Sequence, residues 1–180
     1  MSDEIEVLKL VAGKLDAAGL EYMVTGSLAL SAYAVPRMTR DVDLVVALEL
    51  DDADRLCAML GDEFDCNPVS IRAAIASRSM FNLIHSTRIV KVDFVVRKTS
   101  PFRMEEFSRR RRIDLDGQAI WIVSAEDLLL SKLLWGRDRA SGVQRADVAN
   151  LIASHPIDWS YVERWSGELG LETELREVRP

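Results

Sequence analysis

The stretch Thr39-Arg40-Asp41-Val42-Asp43-Leu44-Val45-Val46 restricts this chain's folding choices more than any other. Its Val and Leu residues read as a short β-strand, yet its opening half carries two aspartates one residue apart. Asp is depleted from strands because it competes for backbone hydrogen bonds and resists burial. Residues two apart on a strand share a face. Asp41 and Asp43 therefore point one way, and Val42, Leu44 and Val46 point the other. That spacing leaves the two carboxylates roughly 7 Å apart at Cβ. At an effective dielectric near ~20 their repulsion is on the order of 2 kcal/mol, a sizeable part of a domain's net stability. Open solvent relieves such repulsion, and a divalent cation with hard oxygen ligands relieves it better.

A third aspartate extends the pattern. In Arg88-Ile89-Val90-Lys91-Val92-Asp93-Phe94-Val95-Val96, Asp93 interrupts a second apolar strand and shares a face with Lys91. If the two strands are neighbours, Asp41, Asp43 and Asp93 converge, which is the layout that a two-metal phosphoryl-type transfer requires. A lone Asp at a strand start is ordinarily a turn or cap residue. Three carboxylates on two apolar strands fit that reading poorly.

Upstream, Val24-Thr25-Gly26-Ser27-Leu28 places Gly26 and Ser27 between a strand and a helix. Gly admits unusual dihedrals and close approach of a ligand, and free N–H groups at a helix start favour phosphate. Taken alone, Ser27 reads more simply as an N-cap. The junction gains meaning only from the aspartates of the strand that follows.

The rest of the chain supplies a setting. The 180 residues carry 48% hydrophobic and 29% charged residues and a net charge of −6, the balance of a globular domain. The negative total argues against whole-surface attraction to nucleic acid or to an anionic membrane. Cys57 and Cys66 form no Cys-x-x-Cys pair, so zinc is not expected. The acidic start, MSDEIEVLKL, lacks the basic and apolar runs of a signal peptide. The expectation is a reduced, cytoplasmic protein with no membrane partner.

Apolar spacing predicts helices over 3–18, 27–35, 51–61, 68–77 and 101–110. It predicts strands at 21–26, 40–48, 80–86 and 88–97, and a hairpin around Asp116–Gly117. From Ser124, a predicted N-cap with Asp127 at the box position, the chain reads as helical. The expected class is α/β (α+β): a mixed β-sheet flanked by helices in residues 1–123, with a C-terminal helical segment in 124–180 packed on it.

At this point the residues resemble a family. TGSLALSAYAVPRMTRDVDLVV followed by KVDFVV resembles the nucleotidyltransferase fold of the DNA polymerase β superfamily, and SAEDLLLSKLLWGRDRASGVQRADVANLI is similar to small bacterial nucleotidyltransferases, including the AbiEii-type toxin group. The resemblance implies roles residue by residue. Gly26 and Ser27 would hold nucleotide phosphates. Asp41, Asp43 and Asp93 would bind Mg²⁺, with two ions expected, and Asp93 would help activate an acceptor hydroxyl. Lys132 would approach the triphosphate of the NTP, Asp147 would support it, and Arg145 is a further candidate in the same segment. The implied reaction moves NMP from an NTP to an acceptor, whether RNA, protein or a small molecule. Two rival readings are an interaction module with a protein partner, such as a toxin–antitoxin component, and an antibiotic adenylyltransferase whose acidic cleft takes a cationic drug.

Three further features bear on a site. Lys132 lies within the apolar helix LLLSKLLW, where an unpaired ammonium is costly unless it reaches solvent. Trp135, beside Arg137 and Arg139, could stack a base, though packing with Leu133 or Leu134 is the simpler expectation. Arg109–Arg112 is the densest basic cluster, read as a solvated helix end rather than an RNA surface.

Overall fold

The computed structural model describes residues 2–138 and 142–179; Arg139 lies outside them, and of Asp138 only the backbone is described. Chain order begins with helix α1 (Asp3–Ala18), strand β1 (Glu21–Thr25), helix α2 (Gly26–Ser31) and strand β2 (Asp41–Ala47). Helices α3 (Asp52–Leu60) and α4 (Pro68–Ala76) precede strands β3 (Met80–Ile84) and β4 (Lys91–Val96). Helix α5 (Pro101–Ser108) leads into the hairpin β5 (Arg111–Leu115) and β6 (Gln118–Ile122). Helices α6 (Ala125–Asp138), α7 (Gly142–Ser154), α8 (Trp159–Leu169) and α9 (Glu172–Val178) follow.

The strands form one mixed sheet in the order β3-β4-β2-β1-β6-β5. β1 pairs antiparallel with β2, and β2 pairs parallel with β4. The sheet explains the pattern of β2: Val42, Leu44 and Val46 are fully buried, while the aspartate face is only partly covered. α1 buries Val7, Leu8, Val11, Ala12 and Leu15 and packs along β1, β2 and β6. It stops at Gly19, whose φ of 66° gives the left-handed turn that closes a helix. Asp116 and Gly117 both take positive φ, the twist that suits a two-residue hairpin turn. Among the described residues, no helix is long and apolar enough to cross a membrane.

Several sequence expectations are corrected. α2 ends at Ser31, short of the predicted residue 35, and Ala32–Ala34 form turns. Trp135 is 51% exposed instead of packing in the core. In its first two residues the basic cluster is neither a free patch nor a solvated helix end. Arg109 pairs with Glu126 and Asp127 and lies 3.8 Å over the Tyr161 ring, and Arg110 pairs with Glu21 and covers Phe107 and Trp121. Arg111 and Arg112 open β5. Acidic and aromatic neighbours brought in by tertiary folding absorb the charges of Arg109 and Arg110, while Arg111 and Arg112 stay exposed.

Candidate active site

Register assembles the site. In the parallel ladder Asp41 lies opposite Lys91, and Asp43 lies opposite Asp93. In the antiparallel ladder on the other side, Thr25 lies opposite Asp43. β2 therefore carries its aspartates between β4, which delivers Asp93, and the end of β1, which delivers Gly26. The three carboxylates expected from the sequence do belong to adjacent strands.

Gly26 is required here twice over. Its φ is 65°, which L side chains rarely adopt, and a Cβ at this position would sit 2.0 Å from Asp43 Oδ2 and 2.6 Å from its Cγ. The absent side chain is what lets the turn close over the carboxylate.

Ser27 departs from the N-cap reading. The cap position of α2 is Thr25, which makes no side-chain cap bond. The Ser27 hydroxyl instead accepts a 2.6 Å hydrogen bond from Arg37 Nη2. Arg37 also donates to both oxygens of Asp147, at 2.8 and 3.0 Å. Lys132 Nζ donates to the same carboxylate at 2.7 Å, and its side chain is only 6% exposed. Lys132 thus pairs inside the protein rather than reaching out to solvent. Burial alone would raise the Asp147 carboxyl, but the hydrogen bonds from Arg37 and Lys132 outweigh it and hold the group below its ordinary range. The chain Ser27–Arg37–Asp147–Lys132 ties the start of α2 to α6 and α7.

The aspartate cluster is electrostatically tense. Asp43 is pushed up from its ordinary 3.8 to about 6, by burial first and then by the Asp93 and Asp41 carboxylates. Lys132 and Lys91 oppose that rise. Lys91 Nζ lies 2.7 Å from Asp93 Oδ2 and 3.7 Å from Asp41 Oδ1. Asp93 is buried, and its other oxygen, Oδ1, has no hydrogen-bond partner. Among the described residues, no three His, Cys, Asp or Glu side chains are gathered as a finished ion cage. The donor chemistry nevertheless fits a hard divalent cation: three carboxylates, one with an orphaned buried oxygen, beside a turn that only a glycine lets pack against Asp43.

Not every expected residue joins the cluster. Arg145 is 72% exposed and pairs with Glu177 at 2.8 Å. It lies two residues from Asp147 on α7, so helical geometry turns it to another side. Two residues that sequence reasoning did not place in the site do belong to this network, Arg37 and Lys91. Lys91 was visible as a face-mate of Asp93. Arg37, in an irregular loop, gave no periodic signal.

The fold has counterparts. The sequence profile of the family described as "Nucleotidyltransferase of unknown function (DUF6036)" matches residues 3–171. No curated protein matches the chain. Among solved structures, an antigenic nucleotidyltransferase-like protein from Paracoccidioides brasiliensis superposes with a TM-score of 0.60 at 19% identity, over 86% of this chain and 77% of that one. ANT(2")-Ia in complex with adenylyl-2"-tobramycin gives 0.61 at 11% identity, over 90% and 94%. The lincosamide antibiotic adenylyltransferase LnuA, lincomycin-bound, gives 0.52 at 14%, over 84% and 96%. At such identities the likeness is one of fold. None of these three is described as an AbiEii-type toxin, so that narrower resemblance rests on sequence motifs alone. With the profile spanning nearly the whole sequence and the sheet carrying Asp41, Asp43 and Asp93 on neighbouring strands, the chain belongs to this nucleotidyltransferase family.

Proposed function

We propose that the protein is a Mg²⁺-dependent nucleotidyltransferase that moves NMP from an NTP to a hydroxyl acceptor and releases pyrophosphate. The observation that carries the reading is the lateral pairing of Asp43 with Asp93 beneath the bare turn at Gly26. Asp41, Asp43 and Asp93 would hold the cation. When bound, Mg²⁺ supplies charge stabilisation at phosphorus and lowers the pKa of the acceptor hydroxyl. Gly26 lets the turn close directly against the Asp43 carboxylate, and Ser27 adds a hydroxyl fixed by Arg37. Lys132, oriented by Asp147, sets a positive charge that is felt at Asp43. A negatively charged triphosphate entering between them meets an ammonium already in place, with little reorganisation at the moment of reaction. Asp93, buried with one oxygen unpartnered, is the group suited to orient the acceptor hydroxyl and draw off its proton.

The likeness in fold to two antibiotic adenylyltransferases, together with a net charge of −6, favours a cationic small molecule as the first to try, ahead of RNA or protein. The test is thermal unfolding with Mg²⁺ and each NTP in turn, followed by transfer of α-labelled NMP to candidate acceptors. A ligand that binds only the folded state stabilises it by about 2.7 kcal/mol at 100 times its Kd. One NTP should give a Mg²⁺-dependent shift, and Asp43→Asn should lose turnover by about 100-fold or more while staying folded, since even supporting groups behind a metal ligand are worth 10–100-fold. Wild-type turnover in that variant would overturn the assignment. No shift with any NTP would move the reading to an interaction module with a protein partner.

A further inference from the structure

Lys91 stands in the middle of the acidic cluster. It faces Asp41 across the parallel ladder and lies two residues before Asp93 on the same strand. Its ammonium is 2.7 Å from Asp93 Oδ2 and 3.7 Å from Asp41 Oδ1. It therefore spans two of the three carboxylates and leaves Asp93 Oδ1 unpartnered. Its side chain is 39% exposed while that of Asp93 is 10% exposed. The cation can swing into water on its flexible stem, whereas Asp93 cannot follow it.

We infer that Lys91 is the site's resident counter-cation: its ammonium bridges Asp41 and Asp93 in the cation-free protein and is displaced when a divalent ion binds there. This rests on the reading of Asp41, Asp43 and Asp93 as metal-holding residues. A lysine suits the task, because it is a compact point charge that satisfies the carboxylates without the two-pronged grip of an arginine. Two consequences follow. A free ion binds weakly, because its entry breaks the bridge. An ion that arrives with a nucleoside triphosphate binds better, because the displaced ammonium gains a phosphate as its new partner. The chain thereby favours joint arrival of cation and nucleotide over loading of the bare ion.

Mn²⁺ is a suitable probe, since free Mn²⁺ is counted directly by electron paramagnetic resonance and no turnover is needed. Binding is measured to wild type, Lys91→Met, Lys91→Arg and Arg40→Met, with folding checked by circular dichroism. Arg40 is exposed and precedes Asp41, so Arg40→Met removes the same charge nearby without removing the bridge. Lys91→Met should bind Mn²⁺ about fivefold more tightly than wild type, the scale on which a half-exposed ion pair competes. Lys91→Arg should bind more weakly than wild type, and Arg40→Met should change less than about twofold. Unchanged or weaker binding by Lys91→Met, with normal binding by wild type, overturns the role of Lys91 alone. An equal gain in Arg40→Met overturns it too, by revealing a general field effect. Absence of Mn²⁺ binding in every protein, Lys91→Met included, overturns the metal reading of the aspartates together with it. If Lys91→Met does not fold, Lys91→Arg decides: binding equal to or tighter than wild type sinks the proposal.

Discussion

Asp43 touches three parts of the molecule at once: it lies under the turn at Gly26, opposite Asp93 on β4, and within the field of Lys132 on α6. That position has a measurable consequence for the protein without ligands. Because its carboxyl is pushed up to about 6, the folded state holds a proton over a pH range in which the unfolded chain has released it. Stability from this group is therefore full below about pH 4, falls as pH rises towards 6, and stays lost above that. The loss is about 3 kcal/mol at most. Asp43→Asn removes the ionisable group and keeps the shape. In urea unfolding at neutral pH the variant is expected to be more stable than wild type by roughly 1–3 kcal/mol, and this difference should vanish as pH falls from 6 to 4. A variant less stable than wild type at neutral pH would mean that the folded protein welcomes this charge, contrary to the repulsion argument. The same substitution that stabilises the resting fold should end turnover, a trade common where function requires like charges to be held together.

At the scale of elements, the C-terminal helices are held by buried polar ties as well as by apolar packing. Asp127, at the start of α6, is fully buried. It accepts hydrogen bonds from Ser124 Oγ at 2.6 Å, Tyr161 Oη at 2.6 Å and Arg109 Nε at 3.2 Å. Ser124 in turn caps the helix by accepting from the Asp127 N–H, at 3.2 Å. Helices α6 and α8 and the C-cap residue of α5 meet at this one carboxylate. Tyr161→Phe leaves the ring in place and removes one donor to a buried charge, a loss of about 1.5–3 kcal/mol. Chemical denaturation should report a loss of that size with an unchanged slope. An effect under about 0.5 kcal/mol would show that water or Arg109 compensates and that α8 is held by its apolar face alone. The capping pair at Ser124 and Asp127 was visible in the sequence as a local spacing. Tyr161, 34 residues further on, was not, because nothing local marks which distant hydroxyl will reach a buried acid.

Across the whole molecule, one continuous apolar core runs from Val7 on α1 through the sheet to Leu175 on α9. The Ser27–Arg37–Asp147–Lys132 chain adds a polar link between the start of α2 and helices α6 and α7. We propose that residues 1–123 and 124–180, though different in character, unfold as one cooperative unit. Thermal traces from circular dichroism and tryptophan fluorescence should superimpose; two separated transitions would show that the helical segment is an independent unit. Local periodicity in the sequence determined most of the elements, and it also determined that Asp41 and Asp43 share a face, because a strand's two-residue period holds wherever the strand is placed. The likeness of the Gly-Ser and Asp-x-Asp motifs to nucleotidyltransferases was readable for the same reason, since each motif lies within a few residues. Tertiary structure alone decided which strands became neighbours, and with that the pairing of Asp43 with Asp93 and the seat of Lys91 between two carboxylates. It also decided that Arg37 would join Ser27 to Asp147, that Arg145 would turn away to Glu177, and that Trp135 would face solvent. Those outcomes depend on contacts between residues far apart in the chain, whose energies come from burial and charge at places the local sequence does not specify.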